Sequence, residues 1–324
     1  MMKTSILYCI LAAALLSIGC MASLPENAPE GGITYRLETD IRLRGFRRTA
    51  LIHVPKDYRS NNPLPMVVAV HGEGLTGKDF EKQTGFSRLA DKEGFIVVYP
   101  EGMGIFGFMQ HWNAGHCCGK AAADQVDDVG FLETIIKETT ARLSVDKNRI
   151  YMTGFSNGGM LTYRFAAEKG HLLAGAAVLS ASIGGRSSRD VPVWRIPKPG
   201  APVPMIIFHG TADDIVPYQG GTNWRSGNKR ACLPVSESVN FWVRNNGCNP
   251  WAIRVLLQGN AVVEEVWKGC GNGGKSAEVR AYMLKDWGHQ WAGSYFTDKL
   301  PAGHPLKGFD AAEMIWAFFK QYQR

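Results

Sequence analysis

The chain is 324 residues long, with 45% hydrophobic and 20% charged residues. This ordinary globular composition excludes a disordered or low-complexity protein and allows one large core without forcing a second domain. Its formal charge of +7 is spread thinly, with basic pairs such as Arg47-Arg48 and Lys229-Arg230 standing isolated, so no nucleic-acid partner is expected, and the absence of heptads and repeats excludes a coiled coil or a solenoid.

Lys3 precedes an apolar run from Ile6 to Ile18, too short to span a bilayer and placed like the core of a signal peptide. Residues 1–22 are therefore read as an export signal. Leu16-Ser17-Ile18-Gly19-Cys20 approximates a bacterial lipobox, and a lipid on Cys20 would be the chain's one membrane attachment. Cys20-Met21-Ala22 offers ordinary signal cleavage as the alternative. Both readings export the chain, as a secreted, periplasmic or lipid-anchored protein. Residues 23–32 read as a linker and residues 33–324 as one catalytic domain.

An oxidising compartment permits disulfides among Cys117, Cys118, Cys232, Cys248 and Cys270. Cys248 and Cys270 are the favoured pair, because closing their 22-position span stabilises by roughly 3 kcal/mol in the chain-entropy model. Adjacent cysteines across a trans peptide have Cα atoms about 3.8 Å apart, below the usual disulfide range, so Cys117, Cys118 and Cys232 are left without assigned partners. No Cys-x-x-Cys or His-x-x-x-His spacing occurs, and neither a metal nor another cofactor is expected.

Strands and helices alternate from about residue 33. Thr34–Leu43 and Ala50–Val54 read as antiparallel edge strands. Continuous apolar runs at 65–70, 95–99, 150–155, 174–179, 205–208 and 279–284 are what strands buried on both faces require. Between them lie amphipathic helices, such as 234–246, with Val235, Val239, Trp242 and Val243 on one face and Gly247 as the stop. The last helix follows Asp310 as N-cap and carries Met314, Ile315, Phe318 and Phe319 at helical spacing. The expected fold is α/β in a single domain: a mostly parallel, doubly wound sheet with helices on both faces and ligands beyond the strand carboxyl ends.

One such end reads Gly154-Phe155-Ser156-Asn157-Gly158 between a strand and a helix, the Gly-x-Ser-x-Gly turn that exposes a serine nucleophile. A serine hydroxyl needs a base to take its proton. His289 follows the last predicted strand on a loop, with His304 in reserve; His209 reads as structural, and His171 lies close to the end of the helix after Ser156. The base in turn needs a carboxylate to hold it, and Asp213 is preferred over Asp214 in His209-Gly210-Thr211-Ala212-Asp213-Asp214. The order Ser, Asp, His is that of the α/β-hydrolase fold. Backbone N–H groups of Asn157 and Glu73 are the expected oxyanion donors, with Gly74 an alternative to Glu73, whose carboxylate must point away from the anion.

These residues carry a resemblance. His71-Gly72, Trp112-Asn113-Ala114-Gly115 with Cys117-Cys118-Gly119, Val126-Asp127-Asp128-Val129-Gly130-Phe131, Gly154 to Gly158, the Asp213 block with Val216-Pro217-Tyr218, and Gly288-His289-Gln290-Trp291 together make residues 33–320 similar to the bacterial polyhydroxybutyrate depolymerase and feruloyl or acetylxylan esterase group, within carbohydrate esterase family one. The resemblance implies a serine ester hydrolase and independently assigns the acid to Asp213 and the base to His289. Two departures bear on the shape of the site: Ala292 replaces the proline usual after the tryptophan of the last block, and Glu73 stands where an uncharged residue is common.

The shared catalytic apparatus does not select a substrate. Trp112, Trp194, Trp224 and Trp291 fall on predicted loops, where each could stack on an aromatic acid or sugar or anchor the loop on the core. Trp112 and Trp291 are the chosen substrate contacts, and Arg195, Lys198 and Pro199 offer one wall of the cleft. A feruloyl or acetyl ester of plant polysaccharide ranks first as substrate, a polyhydroxyalkanoate second and a small-ester scavenging role third. A non-catalytic polysaccharide-binding lipoprotein is the rival of another class, against which the readable triad, elbow and oxyanion loop all speak.

Overall fold

The computed structural model describes residues 21–25, 29–105, 108–222, 227, 230–271 and 277–324. Residues 1–20 of the expected export signal, Cys20 among them, and Trp224 lie outside the described residues. Among those described, no helix is long and apolar enough to cross a membrane.

Ten strands form the main sheet. They are β1 (Ile33–Leu43), β2 (Phe46–Val54), β3 (Leu64–Val70), β4 (Ile96–Pro100), β5 (Val145–Phe155), β6 (Gly175–Leu179), β7 (Met205–Gly210), β8 (Ile253–Leu257), β9 (Val262–Trp267) and β10 (Val279–Leu284). The order across the sheet is β1-β2-β4-β3-β5-β6-β7-β10-β9-β8. From β4 to β10 the neighbours run parallel, and antiparallel pairs flank this centre on both sides. The sequence reading omitted β8 and β9.

Among the described residues, six helices of eight residues or more cover the two faces: α1 (Gly77–Thr84), α2 (Phe86–Glu93), α3 (Asp128–Arg142), α4 (Asn157–Lys169), α5 (Val235–Asn245) and α6 (Ala311–Phe319). Alternation along the strands divides the core. Val68 and Val70 face a cluster built with α3, α4 and α5, while Val67 and Ala69 face one built with α1, α2 and α6. Every residue of β3 is buried, so its apolar run serves both layers at once. This is the doubly wound, single-domain α/β-hydrolase arrangement.

One expectation is corrected here and one open pairing is assigned. The start of the segment 23–32 is not a plain linker: Leu24 is buried and donates its N–H to Arg36 O, while Arg36 N–H donates to the preceding Ala22 O, both at 2.9 Å. The segment thus covers part of the otherwise open edge of β1. Cys117 and Cys118, whose partners the sequence left unassigned, are bonded to each other across a cis peptide. Cys248 and Cys270 are joined, and Cys232 is a buried free thiol.

Candidate active site

The site assembles where β5, β7 and β10 end. At the end of β5 the chain turns abruptly into α4 with Ser156 at φ 54° and ψ −122°, a conformation L-residues rarely adopt. Close approach explains the flanking glycines. A Cβ at Gly158 would press into the carbonyl oxygens of Val70 and His71, and one at Gly154 into the carbonyl of Gly158. Only bare backbone lets the elbow pass the end of β3. Ser156 N–H donates to Leu179 O at 3.0 Å, pinning the turn to β6, and the serine is 8% exposed.

His289 stands on the loop after β10 and Asp213 on the loop after β7. These loops are laced together: Ala212 N–H donates to Trp287 O at 3.0 Å and Asp286 N–H to Thr211 Oγ1 at 2.9 Å. Asp213 Oδ1 accepts the backbone N–H groups of Ile215 (3.0 Å) and Val216 (2.8 Å). Oδ2 lies 2.8 Å from His289 Nδ1 and 3.4 Å from His209 Nε2. Burial opposes ionisation of Asp213, but hydrogen bonds from His209 and His289, and then their charge, outweigh it and hold the carboxyl well below the usual carboxylate range. An ionised Asp213 accepts the Nδ1–H of His289, which leaves the Nε2 lone pair facing outward. The Ser156 hydroxyl is 2.8 Å from that nitrogen and donates to it. The arrangement can move a proton from Ser156 to His289 while Asp213 holds the ring.

Of the other candidates, Asp214 is exposed, and His304 accepts a hydrogen bond from Leu306 N–H at 3.1 Å within its own loop. His171 is exposed just beyond α4. Gly74 N–H donates to Gln110 O at 2.7 Å, which commits it elsewhere and leaves Glu73 as the choice on that loop. The carboxylate of Glu73 lies 3.5 Å from Arg230 Nη1, and Arg230 also meets both sulfurs of the Cys117–Cys118 pair. Among the described residues, Glu73, Cys117 and Cys118 are the group whose donor atoms lie close enough to hold a metal. Its sulfurs are committed to each other, which leaves a single carboxylate.

Both tryptophans expected at the substrate are core anchors. Trp112 and Trp291 are 0% exposed. Trp291 packs edge-on against Phe80 and Phe86. Trp112 lies beside His71 and Phe131, donates Nε1–H to His71 O at 2.9 Å, and is held through its backbone by the Asn157 side chain, N–H to Oδ1 at 2.7 Å and Nδ2–H to O at 3.1 Å. A ring enclosed on all sides cannot stack on a substrate. Trp194, half-buried, stacks on His116. Arg195 is exposed and pairs with Glu237.

Sequence reasoning missed the buried ion pair between Arg48 and Asp128, 2.6 Å apart. Burial, the larger influence, pushes the Asp128 carboxyl up and the Arg48 guanidinium down, and the pairing offsets it in each case. Asp128 also accepts Asn113 N–H at 2.7 Å, and Arg48 lies over the Phe131 ring. The Asp127-Asp128 block was the available signal. Asp127 caps α3 by accepting Gly130 N–H, while Asp128 turns inward. His71, read as a packed loop histidine, is buried, donates Nδ1–H to Gly72 O at 2.8 Å and accepts Gly102 N–H on Nε2 at 3.2 Å, and its pKa is driven by that burial down to about 4.

Residues 54–223 match the family described as esterase PHB depolymerase. Feruloyl esterase B of Piromyces equi is 28% identical over 203 residues, covering 62% of this chain and 36% of that protein, so the chain spans about a third of that relative's length. A probable feruloyl esterase C of Aspergillus niger is 25% identical over 314 residues, covering 94% of this chain and 96% of that protein. Among solved structures, an acetyl xylan esterase from Aspergillus awamori superposes with a TM-score of 0.55 at 18% identity, covering 75% of this chain and 89% of the other.

Proposed function

The chain belongs to the esterase PHB depolymerase family, and from that premise we propose that it is an exported serine ester hydrolase that releases feruloyl or acetyl groups from plant polysaccharide through an acyl-enzyme. Ser156 Oγ attacks the ester carbonyl carbon as its proton passes to His289 Nε2. The resulting imidazolium is balanced by Asp213, and the oxyanion is received by the N–H groups of Asn157 and Glu73, beside the positive end of α4. The C–O bond then breaks, and the alcohol leaves with the proton from Nε2. Water repeats the sequence on the acyl-enzyme and releases the acid, restoring Ser156. No metal or organic cofactor enters these steps.

The observation that carries the reading is the single imidazole 2.8 Å from both the Ser156 hydroxyl and the Asp213 carboxylate. The acyl group is proposed from the feruloyl esterases among its relatives. Export rests on the apolar run after Lys3, with Cys20 the point of lipid attachment if the lipobox is used. A second reading, hydrolysis of a polyhydroxyalkanoate, is favoured by the family match itself.

Methyl ferulate, acetylated xylan and short polyhydroxybutyrate oligomers assayed side by side separate the readings, since the preferred one requires the highest kcat/KM on one of the first two. Ser156→Ala should lower turnover by roughly three orders of magnitude or more with the fold intact. Unchanged turnover in that variant would remove Ser156 as nucleophile.

A further inference from the structure

Two chain segments that are far apart in sequence must keep a fixed separation if Asn157 N–H and Glu73 N–H are to meet one oxygen atom. Asn157 opens α4, whereas Glu73 follows β3 on the loop that begins at His71. Trp112 touches both segments. Its backbone N–H and C=O are bonded by the two ends of the Asn157 amide at 2.7 and 3.1 Å. Its indole N–H reaches 2.9 Å to the carbonyl of His71, two residues before Glu73. All three bonds are buried, where a polar group that loses its partner pays the full desolvation cost.

The residue that joins the segments is itself anchored. Asn113 N–H donates to Asp128 Oδ2 at 2.7 Å, Asp128 is paired with the buried Arg48, and Asn113 Nδ2–H donates to Val126 O at 2.9 Å. On the far side, His71 Nδ1–H donates to Gly72 O at 2.8 Å, so its ring stiffens the turn that leads to Glu73. The driving of His71 down to about 4 keeps that imidazole neutral in the assay range.

We propose that Trp112 is a positioning residue for the oxyanion hole, a strut that sets the distance between the Asn157 and Glu73 N–H groups by bonding the first segment with its backbone and the second with its indole. This rests on the oxyanion assignment made above. It replaces the expectation that Trp112 contacts substrate, because a strut acts on the transition state and leaves ground-state binding alone.

The test is a double-mutant cycle with Trp112→Phe, which removes the indole bond together with part of the buried bicyclic ring and keeps an aromatic ring, and Asn157→Ala, which removes the side-chain bonds and keeps the backbone donor. Kinetics are expressed per active site titrated with an organophosphonate, so a misfolded fraction does not count. Loss of a whole oxyanion donor costs about 100- to 1000-fold in kcat; a displaced donor should cost less, about 10- to 100-fold in each variant, with KM changed by less than about twofold. The double variant should be little worse than the poorer single one, since both cuts release the same strut. A boronic acid whose tetrahedral adduct places an oxygen in the hole should weaken in parallel with kcat. Multiplying losses in the cycle, or losses in KM alone, would overturn the strut. If Ser156→Ala retains activity, or the phosphonate does not react, the serine hydrolase reading has failed instead. Should Trp112→Phe not fold, the boronate and KM comparison on Asn157→Ala still decides.

Discussion

Asp213 and Asp214 are adjacent in sequence and end in different surroundings. Asp213 turns inward and spends both oxygens, one on two backbone N–H groups and one on His289 with His209 beyond it, while Asp214 is exposed. An amide at 213 could hold His289 only in the wrong tautomer, presenting N–H to the serine, a change that costs about ten-thousandfold in serine proteases. Asp213→Asn is therefore expected to lose turnover on that scale and Asp214→Asn to change it by less than about tenfold, measured as kcat on one activated ester at neutral pH. The reverse ranking would move the acid to Asp214. At this scale Ser156 was legible because its glycine neighbours report a backbone constraint, and Asp213 because it lies at a fixed offset after a strand. Trp112 and Trp291 were not. An aromatic beside a motif reads equally as a contact or as an anchor, and the deciding neighbours, His71 for one and Phe80 with Phe86 for the other, are distant in sequence. The same distance hid the Arg48–Asp128 pair, 80 positions apart.

Among the elements, the parallel strands were readable because burial on both faces leaves an unbroken apolar run, and α5 and α6 because their apolar residues recur at helical spacing. The strands β8 and β9 gave neither signal. Ile253 to Leu256 are exposed on both faces, so no alternation marks β8. The paired Glu264 and Glu265 in β9 look unsuited to a sheet until their cross-strand partners are known. Glu264 accepts the Tyr282 hydroxyl at 2.5 Å and lies 3.2 Å from Arg280 Nη1, while Glu265 faces Arg254 at 3.9 Å. The Cys248–Cys270 bond ties the turn after α5 to the turn after β9, next to the largely exposed edge strand β8. Replacing both cysteines by alanine should cost about 3 kcal/mol of unfolding free energy by the loop-closure estimate, read from denaturant midpoints, with kcat retained in the folded protein because the bond is remote from the triad in sequence and element. Non-reducing peptide mapping of the protein should recover the 248–270 peptide pair. Two free thiols there would refute the pairing.

For the molecule as a whole, the histidines buried around the site make stability depend on pH. Burial above all pushes His71 down to about 4. Burial, and then the positive charge of Arg230, push His116 down to about 3. Both start from an ordinary value of 6.5. Below that value the unfolded chain takes up protons that the folded protein refuses, so the stability tied to each group is fully present above pH 6.5 and is lost as pH falls toward the folded value. Between pH 7 and 5 each histidine should remove about 2 kcal/mol. The Asp213 carboxyl, held low, acts only in more acid solution. Burial pushes the Asp128 and Glu101 carboxyls up, which opposes the trend, so the informative quantity is a difference between two proteins. His116→Phe keeps a ring against Trp194, on which His116 stacks at 5.7 Å, and removes the titrating group. Denaturant unfolding at pH 7 and pH 5 should then show the unsubstituted protein losing about 2 kcal/mol more than the variant on acidification. Equal losses in the two proteins would mean that His116 takes up its proton in the fold as readily as in the unfolded chain, and would refute burial beside Trp194 as the cause of its lowered pKa.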